Sequence, residues 1–209
     1  MKIAVIGTGT VGRALGLGWA KSGHQVTFGT RDPKSEKVAK LLSAAGDQAS
    51  ADSVQEAVSA ADVVVLALPW RATEETIKSV DNWKGKIVID CTNPIAPGLK
   101  SALDPSSSGG ECVASWASGA EVVKAFNSTG AENMTDPNYD GQSVTMFLCG
   151  DSLAAKDKIS QLTQDLGFET VDAGPLSGAR FLEMLALVWI YLTNQPGLNR
   201  NIAFRLLQR

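Results

Sequence analysis

The feature that most constrains this chain is six residues long, Gly7-Thr8-Gly9-Thr10-Val11-Gly12. It follows an apolar β-type run, Lys2–Ile6, and it opens an amphipathic helical pattern from Val11 to Ser22. A GxGxxG spacing means little by itself, but between a strand and a helix it forms a device with a mechanism. Gly7 permits the tight turn, Gly9 lets backbone approach a pyrophosphate, and Gly12 allows close helix–strand contact. The helix then meets the phosphates with unpaired N–H groups and the positive end of its dipole. The turn therefore predicts dinucleotide binding, the alternative being a glycine turn of purely structural use.

The rest of the chain alternates in the same way. Strands are expected at Lys2–Ile6, Gln25–Phe28, Val63–Leu68, Ile87–Asp90, Val122–Phe126, Val144–Cys149 and Glu169–Asp172. Most are unbroken apolar runs of the kind that buried parallel strands show. Helices are expected at Val11–Ser22, Ser35–Ala45, Ser53–Ala60, Ala72–Val80 and Ser152–Leu166, with Asp52-Ser53 and Asp151-Ser152 as N-terminal caps. Alternation of this sort predicts an α/β fold, a Rossmann-type doubly wound, mostly parallel sheet. Residues 1–174 form that domain, and 175–209 form a short C-terminal helical extension packed on it. The stretch Pro94–Gly110 has loop composition and is either a mobile flap or a plain surface excursion.

The end of the second strand speaks to the choice of nucleotide. An NAD site places Asp or Glu there for the ribose 2′-hydroxyl, whereas a 2′-phosphate asks for cations and hydroxyl donors. The chain reads Gly29-Thr30-Arg31-Asp32-Pro33-Lys34. Thr30 can donate, Arg31 can fork onto phosphate or stack on adenine, and Lys34 or Lys37 adds charge, so NADP(H) is the expected cofactor. Asp32 is read as the start of the next helix. Further strand ends, Ala67-Leu68-Pro69-Trp70, Cys91-Thr92-Asn93-Pro94 and Ala125-Phe126-Asn127-Ser128, offer groups to line the nicotinamide. Asn93 and Asn127 could instead only cap turns, as Asn often does.

Composition excludes several other classes. A net charge of −3 over 209 residues gives no general attraction to nucleic acid. Cys91, Cys112 and Cys149 show no metal-ligand spacing and are read as free thiols of a cytoplasmic protein. No export signal is expected, and the apolar run Phe181–Leu192, which contains Glu183, falls short of the roughly 20 residues of a membrane span. It is read as a buried helix, covered by the sheet or by a second copy of the chain. The single histidine, His24, lies in a polar turn, so a serine triad or a zinc site is hard to assemble.

Together these segments resemble a known family. The glycine turn, Gly29-Thr30-Arg31, Leu68-Pro69-Trp70, Val123-Lys124-Ala125-Phe126-Asn127, Cys149-Gly150-Asp151 and Asp172-Ala173-Gly174-Pro175-Leu176-Ser177 are similar to the coenzyme F420-dependent NADP oxidoreductases. They are also similar to the NADPH-binding domain of the STEAP metalloreductases. The resemblance implies hydride transfer between NADP(H) and a flavin-like ring, F420 or FMN/FAD, by a homodimer. It also implies that the turn with Thr30 and Arg31 holds the adenosine end and the diphosphate. Leu68, Pro69 and Ala125 would flank the nicotinamide, and Leu176 with Ser177 would border the acceptor ring. In the segment of Ala125–Ser128 the F420 enzymes carry a histidine where this chain has Asn127, and the STEAP-type relatives, which use ordinary flavin, resemble this sequence more closely there.

Hydride transfer between two rings asks the protein mainly for orientation and exclusion of water, so no acid/base pair is required. Two other readings remain open. One is a reductase of a small organic substrate, of the β-hydroxyacid dehydrogenase or imine reductase type, although no lysine follows Gly174. The other is a non-catalytic NADP(H) sensor. Arg180, Arg200, Arg205 and Arg209 in the last segment could attract an anionic acceptor, or could be ordinary solvated charges.

Overall fold

Ile3–Ile6, Val63–Leu66 and Ile87–Ile89 are buried along their whole length, and they form the middle of the sheet, where both faces are covered. The computed structural model describes all of residues 1–209. In chain order it begins β1 (Lys2–Ile6), α1 (Thr10–Lys21), β2 (Gln25–Gly29), α2 (Glu36–Ala45), β3 (Ala49–Asp52), α3 (Val54–Ala60), β4 (Val63–Leu66), α4 (Trp70–Lys78) and β5 (Ile87–Asp90). A hairpin of β6 (Ile95–Ala96) and β7 (Lys100–Ser101) leads to α5 (Gly109–Trp116), β8 (Glu121–Lys124) and α6 (Ala131–Thr135). A second hairpin, β9 (Asn138–Tyr139) and β10 (Gln142–Ser143), precedes β11 (Thr145–Gly150), α7 (Leu153–Gln164), β12 (Glu169–Asp172) and α8 (Ala179–Thr193).

The main sheet runs β12-β11-β8-β5-β4-β1-β2-β3. From β3 to β8 all neighbours are parallel, whereas β11 joins β8 antiparallel and β12 follows β11 in parallel. This is the expected doubly wound, mostly parallel architecture. Chain order reverses between β1 and β4, and such a reversal opens a crevice at the carboxyl ends of the strands. One face of the sheet buries Ile3, Val5, Trp19, Phe28 and Phe126 with residues of α1, α2 and α7. The other buries Ala4, Ile6, Val64 and Leu66 with residues of α3, α4, α5 and α8. Ser53 and Ser152 cap α3 and α7, Ser53 in a full capping box with Glu56.

The sequence does not predict the short elements α6, β9 and β10, and three further differences bear on how the fold is built. β3, Ala-Ser-Ala-Asp, is a sheet-edge strand with half of its residues exposed and no β-branched side chain, so it carries no strand signal. Within the supposed loop, 95–101 forms a small hairpin, and α5 starts at Gly109 behind the cap Ser108. The two glycines that hide this helix are there because α8 crosses it closely: a Cβ on Gly110 would stand 2.8 Å from the Cβ of Ala179.

The third difference is α8, which is not the buried helix its apolar run predicts. Leu182, Ala186 and Trp189 are buried, but Phe181, Met184, Val188 and Tyr191 form an exposed apolar stripe at 3-4-3 spacing. Leu176–Thr193 is in fact long and apolar enough to cross a membrane by length and composition. Here one side of it is seated on α5 and β11.

All three cysteines are free thiols. Burial pushes the Cys149 thiol up to about 12 and the Cys91 thiol well above its ordinary value, and it raises the half-buried Cys112 less completely. Since thiolate is the reactive form, dithionitrobenzoate at pH 8 should titrate one thiol in the native protein and three in guanidinium. Two or more fast native thiols would contradict the packing around Cys91 and Cys149.

Candidate functional site

The glycine turn sits at the reversal point. Gly7 has φ +113°, and its N–H donates to the carbonyl of Gly29 at 3.2 Å, which ties the turn to the end of β2. Gly12 stacks α1 directly on that turn. A Cβ there would collide with the carbonyl oxygen of Gly7. At Gly9, by contrast, no atom stands within 4 Å of an added Cβ, so the space above it is free. Gly9 is the N-cap of α1, no side chain caps the helix, and its first turn holds no acidic residue. These features fit a diphosphate.

A cleft of about 700 Å³ opens over the turn, lined by Gly7, Thr8, Gly9, Thr30, Arg31, Leu68 and Pro69 among others. Thr10, Val11 and Gly12 form the first turn of α1 beside it. Lys37 lines the cleft, whereas Lys34 is exposed outside it. Asp32 lies in the turn before α2, where its carbonyl accepts from the Ser35 hydroxyl at 3.0 Å, and it does not line the cleft. Arg71, on the first turn of α4, adds a third cation that sequence reasoning missed. Arg31, Lys37 and Arg71 outnumber the one carboxylate of the cleft, Glu75, and suit a ligand with several phosphates.

A second cavity, of about 460 Å³, follows along the same carboxyl edge, between the segment 93–107 and α8. Pro94, Ile95, Pro105, Phe181, Met184 and Leu187 give it apolar walls, and Asn93, Arg180 and Glu183 supply polar groups. Among the C-terminal arginines, Arg200 pairs with Glu132 at 2.7 Å and Arg205 reaches Glu169 at 3.5 Å. Arg180 has no carboxylate partner and stacks on Phe181, 5.0 Å from the ring centroid. It alone of the four lines this cavity.

Other sequence-predicted positions hold the site up rather than line it. The Trp70 ring packs on Trp116, with 5.3 Å between centroids, and lines neither cavity. Ala125 and Phe126 are buried, and the Phe126 ring lies edge-on to Trp19 and Phe168 in the core. Phe126 also holds φ +59°, uncommon for a bulky side chain, at the point where the chain leaves β8. Leu176 is buried in the core beneath Gly110, and Ser177 is exposed outside both cavities. Asn93 and Asn127 do not cap turns with their side chains. The Asn93 amide donates to the Asn127 carbonyl at 2.9 Å, and the Asn127 amide donates to Asn93 Oδ1 at 3.0 Å and to the Leu182 carbonyl at 2.9 Å. This lattice fastens the ends of β5 and β8 to α8. His24 lines neither cavity, its Nε2 lying 2.9 Å from Asp165 at the end of α7.

Beneath the second cavity lies a buried ion cluster. Asp90 and Lys124 are register partners at the ends of β5 and β8, both fully buried, with Nζ 2.8 Å from Oδ2. Nζ also donates to the Thr92 carbonyl at 2.7 Å and forms an ion pair with Glu183 Oε1 at 2.8 Å. Asp90 Oδ1 accepts from the Thr92 hydroxyl at 2.7 Å and its N–H at 2.9 Å. Burial alone would push the Lys124 ammonium down, but the two carboxylates beside it outweigh that and hold it above its ordinary value. From α8, Glu183 also accepts from the N–H groups of Gly109 and Gly110, at 3.1 and 3.2 Å, and so closes the N-terminus of α5.

Fold and cleft together define an oxidoreductase-type dinucleotide-binding domain with a second cavity at its carboxyl edge. The model of the family described as NADP oxidoreductase, coenzyme F420-dependent, matches residues 2–94. The chain is 31% identical to the F420-dependent NADP reductase of Methanothermobacter thermautotrophicus, over 99% of this chain and 94% of that one. A solved structure from Arthrobacter sp. FB24, provisionally assigned as an F420-dependent NADP reductase, superposes with TM-score 0.85 at 32% identity over the whole of both chains. Rat metalloreductase STEAP3 is 32% identical over 89% of this chain, which spans only 36% of that protein's length. The chain belongs to the F420-dependent NADP oxidoreductase family.

Proposed function

We propose that this chain passes hydride between NADP(H), held in the cleft at the glycine turn, and a flavin-type ring, F420 or an ordinary flavin, held in the cavity beside α8. The observation that carries the reading is the succession of the two sites along one carboxyl edge. The first is polar and lined by three cations, and the second is walled by apolar side chains. A nicotinamide and a flavin-type ring supply the hydride donor and acceptor themselves; the protein contributes binding, orientation and exclusion of water. The free N–H groups of α1 take the diphosphate. Thr30, Arg31 and Lys37 take the 2′-phosphate, which sets NADP apart from NAD. Leu68 and Pro69 lead from the cleft toward the second cavity, where Arg180 is free to meet an anionic arm of the acceptor. A homodimer is part of the same reading, with a second copy of the chain covering the exposed stripe Phe181, Met184, Val188 and Tyr191.

The test follows nicotinamide absorbance while NADPH, or NADH in parallel, is offered F420, FMN, FAD or a quinone. NADPH-selective oxidation with F420 or a flavin is the expected result. Turnover of a hydroxy acid or an imine without any flavin would move the reading to a small-substrate reductase, and tight NADPH binding with no turnover would move it to a sensor.

A further inference from the structure

Ser101, Asp104, Ser107, Arg180, Asn93 and Glu183 are the polar residues of the second cavity; Ser101 and Asp104 bond within their own loop, whereas Asn93 and Glu183 are fastened to other elements of the fold. Glu183 lines the cavity with a side chain only 10% exposed, and that carboxylate is fixed from behind by Lys124 and by the N–H groups of Gly109 and Gly110. Oε1 accepts from the Gly110 N–H and pairs with the Lys124 ammonium, and Oε2 accepts only from the Gly109 N–H. A carboxylate oxygen offers two lone-pair directions, so Oε2 keeps one in reserve. The carboxylate only accepts, and with its ammonium partner fully buried it turns no donor toward the cavity. Asn93, on the same cavity, is complementary. Its Oδ1 is taken by Asn127, and one of its two amide hydrogens goes to the Asn127 carbonyl, so its other N–H is available. A fixed acceptor and an available donor thus stand among Pro94, Ile95 and Met184, where an unpaired polar group on a ligand would be costly to bury.

We infer that Glu183 and Asn93 recognise an imide edge, an N–H next to a carbonyl on a flat ring, with Glu183 accepting from the N–H and Asn93 donating to the carbonyl. This inference rests on the flavin-type reading above and sharpens it. The pyrimidine portions of flavins and of 5-deazaflavins carry that edge at N3 and its flanking carbonyls, while quinones and simple imines do not. Glu183 is then a specificity-determining residue of the acceptor site, and Lys124 a positioning residue behind it.

The experiment compares riboflavin with its N3-methyl derivative on the intact protein in the presence of NADP⁺, read by quenching of flavin fluorescence. The methyl group removes the donor and leaves the ring otherwise intact. Hydrogen bonds to charged groups are worth about 1.5–3 kcal/mol, so the methylated flavin is expected to bind roughly 10- to 100-fold more weakly. Glu183→Gln should narrow that preference while the affinity for NADPH holds. Equal binding of the two flavins, or a Glu183→Gln variant that loses NADPH affinity along with flavin, would overturn the inference and leave the flavin-type reading in place. Failure of both flavins to bind would remove both. The comparison on the unaltered protein depends on no variant folding.

Discussion

Replacing Lys124 with methionine should cost about 3–5 kcal/mol of folding stability, the range found when one partner of a buried ion pair is removed. Methionine matches the length of the side chain and fills most of its space. What remains is electrostatic: Asp90, fully buried, and Glu183, nearly so, lose the ammonium that lies 2.8 Å from each. Asp90 cannot turn to water, because Thr92 holds it, and Glu183, held by the N-terminus of α5, meets solvent only through the second cavity. Chemical denaturation at pH 7 measures the loss. Adding Asp90→Asn to Lys124→Met should recover part of it, since one uncompensated charge then goes. Strictly additive losses would show that the three groups do not act as one cluster. The pH dependence has a defined sign. Because the folded ammonium titrates above its unfolded value of about 10.4, its contribution is complete below that pH and is lost as pH rises through the folded value. Wild type should lose this increment in strong alkali, whereas Lys124→Met has none to lose.

That cluster also marks where sequence reading stops. The middle strands are legible because Val63–Leu66 and Ile87–Ile89 are apolar without interruption, and the turn is legible because GxGxxG lies between a strand and a helix. Asp90, Lys124 and Glu183 are spread over three elements, and each reads locally as an ordinary charge. The signal available was their setting, an acid closing Ile-Val-Ile, a lysine inside Val-Val-Lys-Ala-Phe, and a glutamate in an otherwise apolar helix. Charges in such settings are rarely buried unless paired. No local pattern shows which partner each will meet, because pairing depends on strand order and on how α8 crosses α5. The same limit explains the segments 125–127 and 176–177. Their motif-like appearance is genuine, but the fold uses Phe126 and Leu176 as core and lets Asn127 fasten α8. Arg71 was hidden for the opposite reason: an arginine after Leu68-Pro69-Trp70 looks like a helix-surface residue until α4 swings over the cleft.

Alanine substitutions at Gly9 and Gly12 should separate the two uses of the glycine turn. At Gly12 the added methyl meets backbone, the carbonyl oxygen of Gly7, and stands 3.2 Å from Val5 Cγ1, so α1 must lift away from the turn. Overpacking of this kind costs about 1–3 kcal/mol, more than the roughly 1 kcal/mol that alanine gains over glycine in a helix. Lifting α1 also moves its free N–H groups, so NADPH affinity should fall at least 10-fold along with stability. At Gly9 the methyl meets no protein atom within 4 Å, and φ −76° suits any residue. Stability should then stay within a few tenths of a kcal/mol, since glycine and alanine differ modestly at an N-cap. The methyl does occupy the space a diphosphate would fill, so Gly9→Ala should lose NADPH affinity with its thermal midpoint intact. Thermal unfolding and titration of NADPH fluorescence on both variants give the comparison. If Gly9→Ala bound NADPH as wild type does, the diphosphate would not lie against this turn, and the cations Arg31, Lys37 and Arg71 would have to hold the nucleotide elsewhere in the cleft.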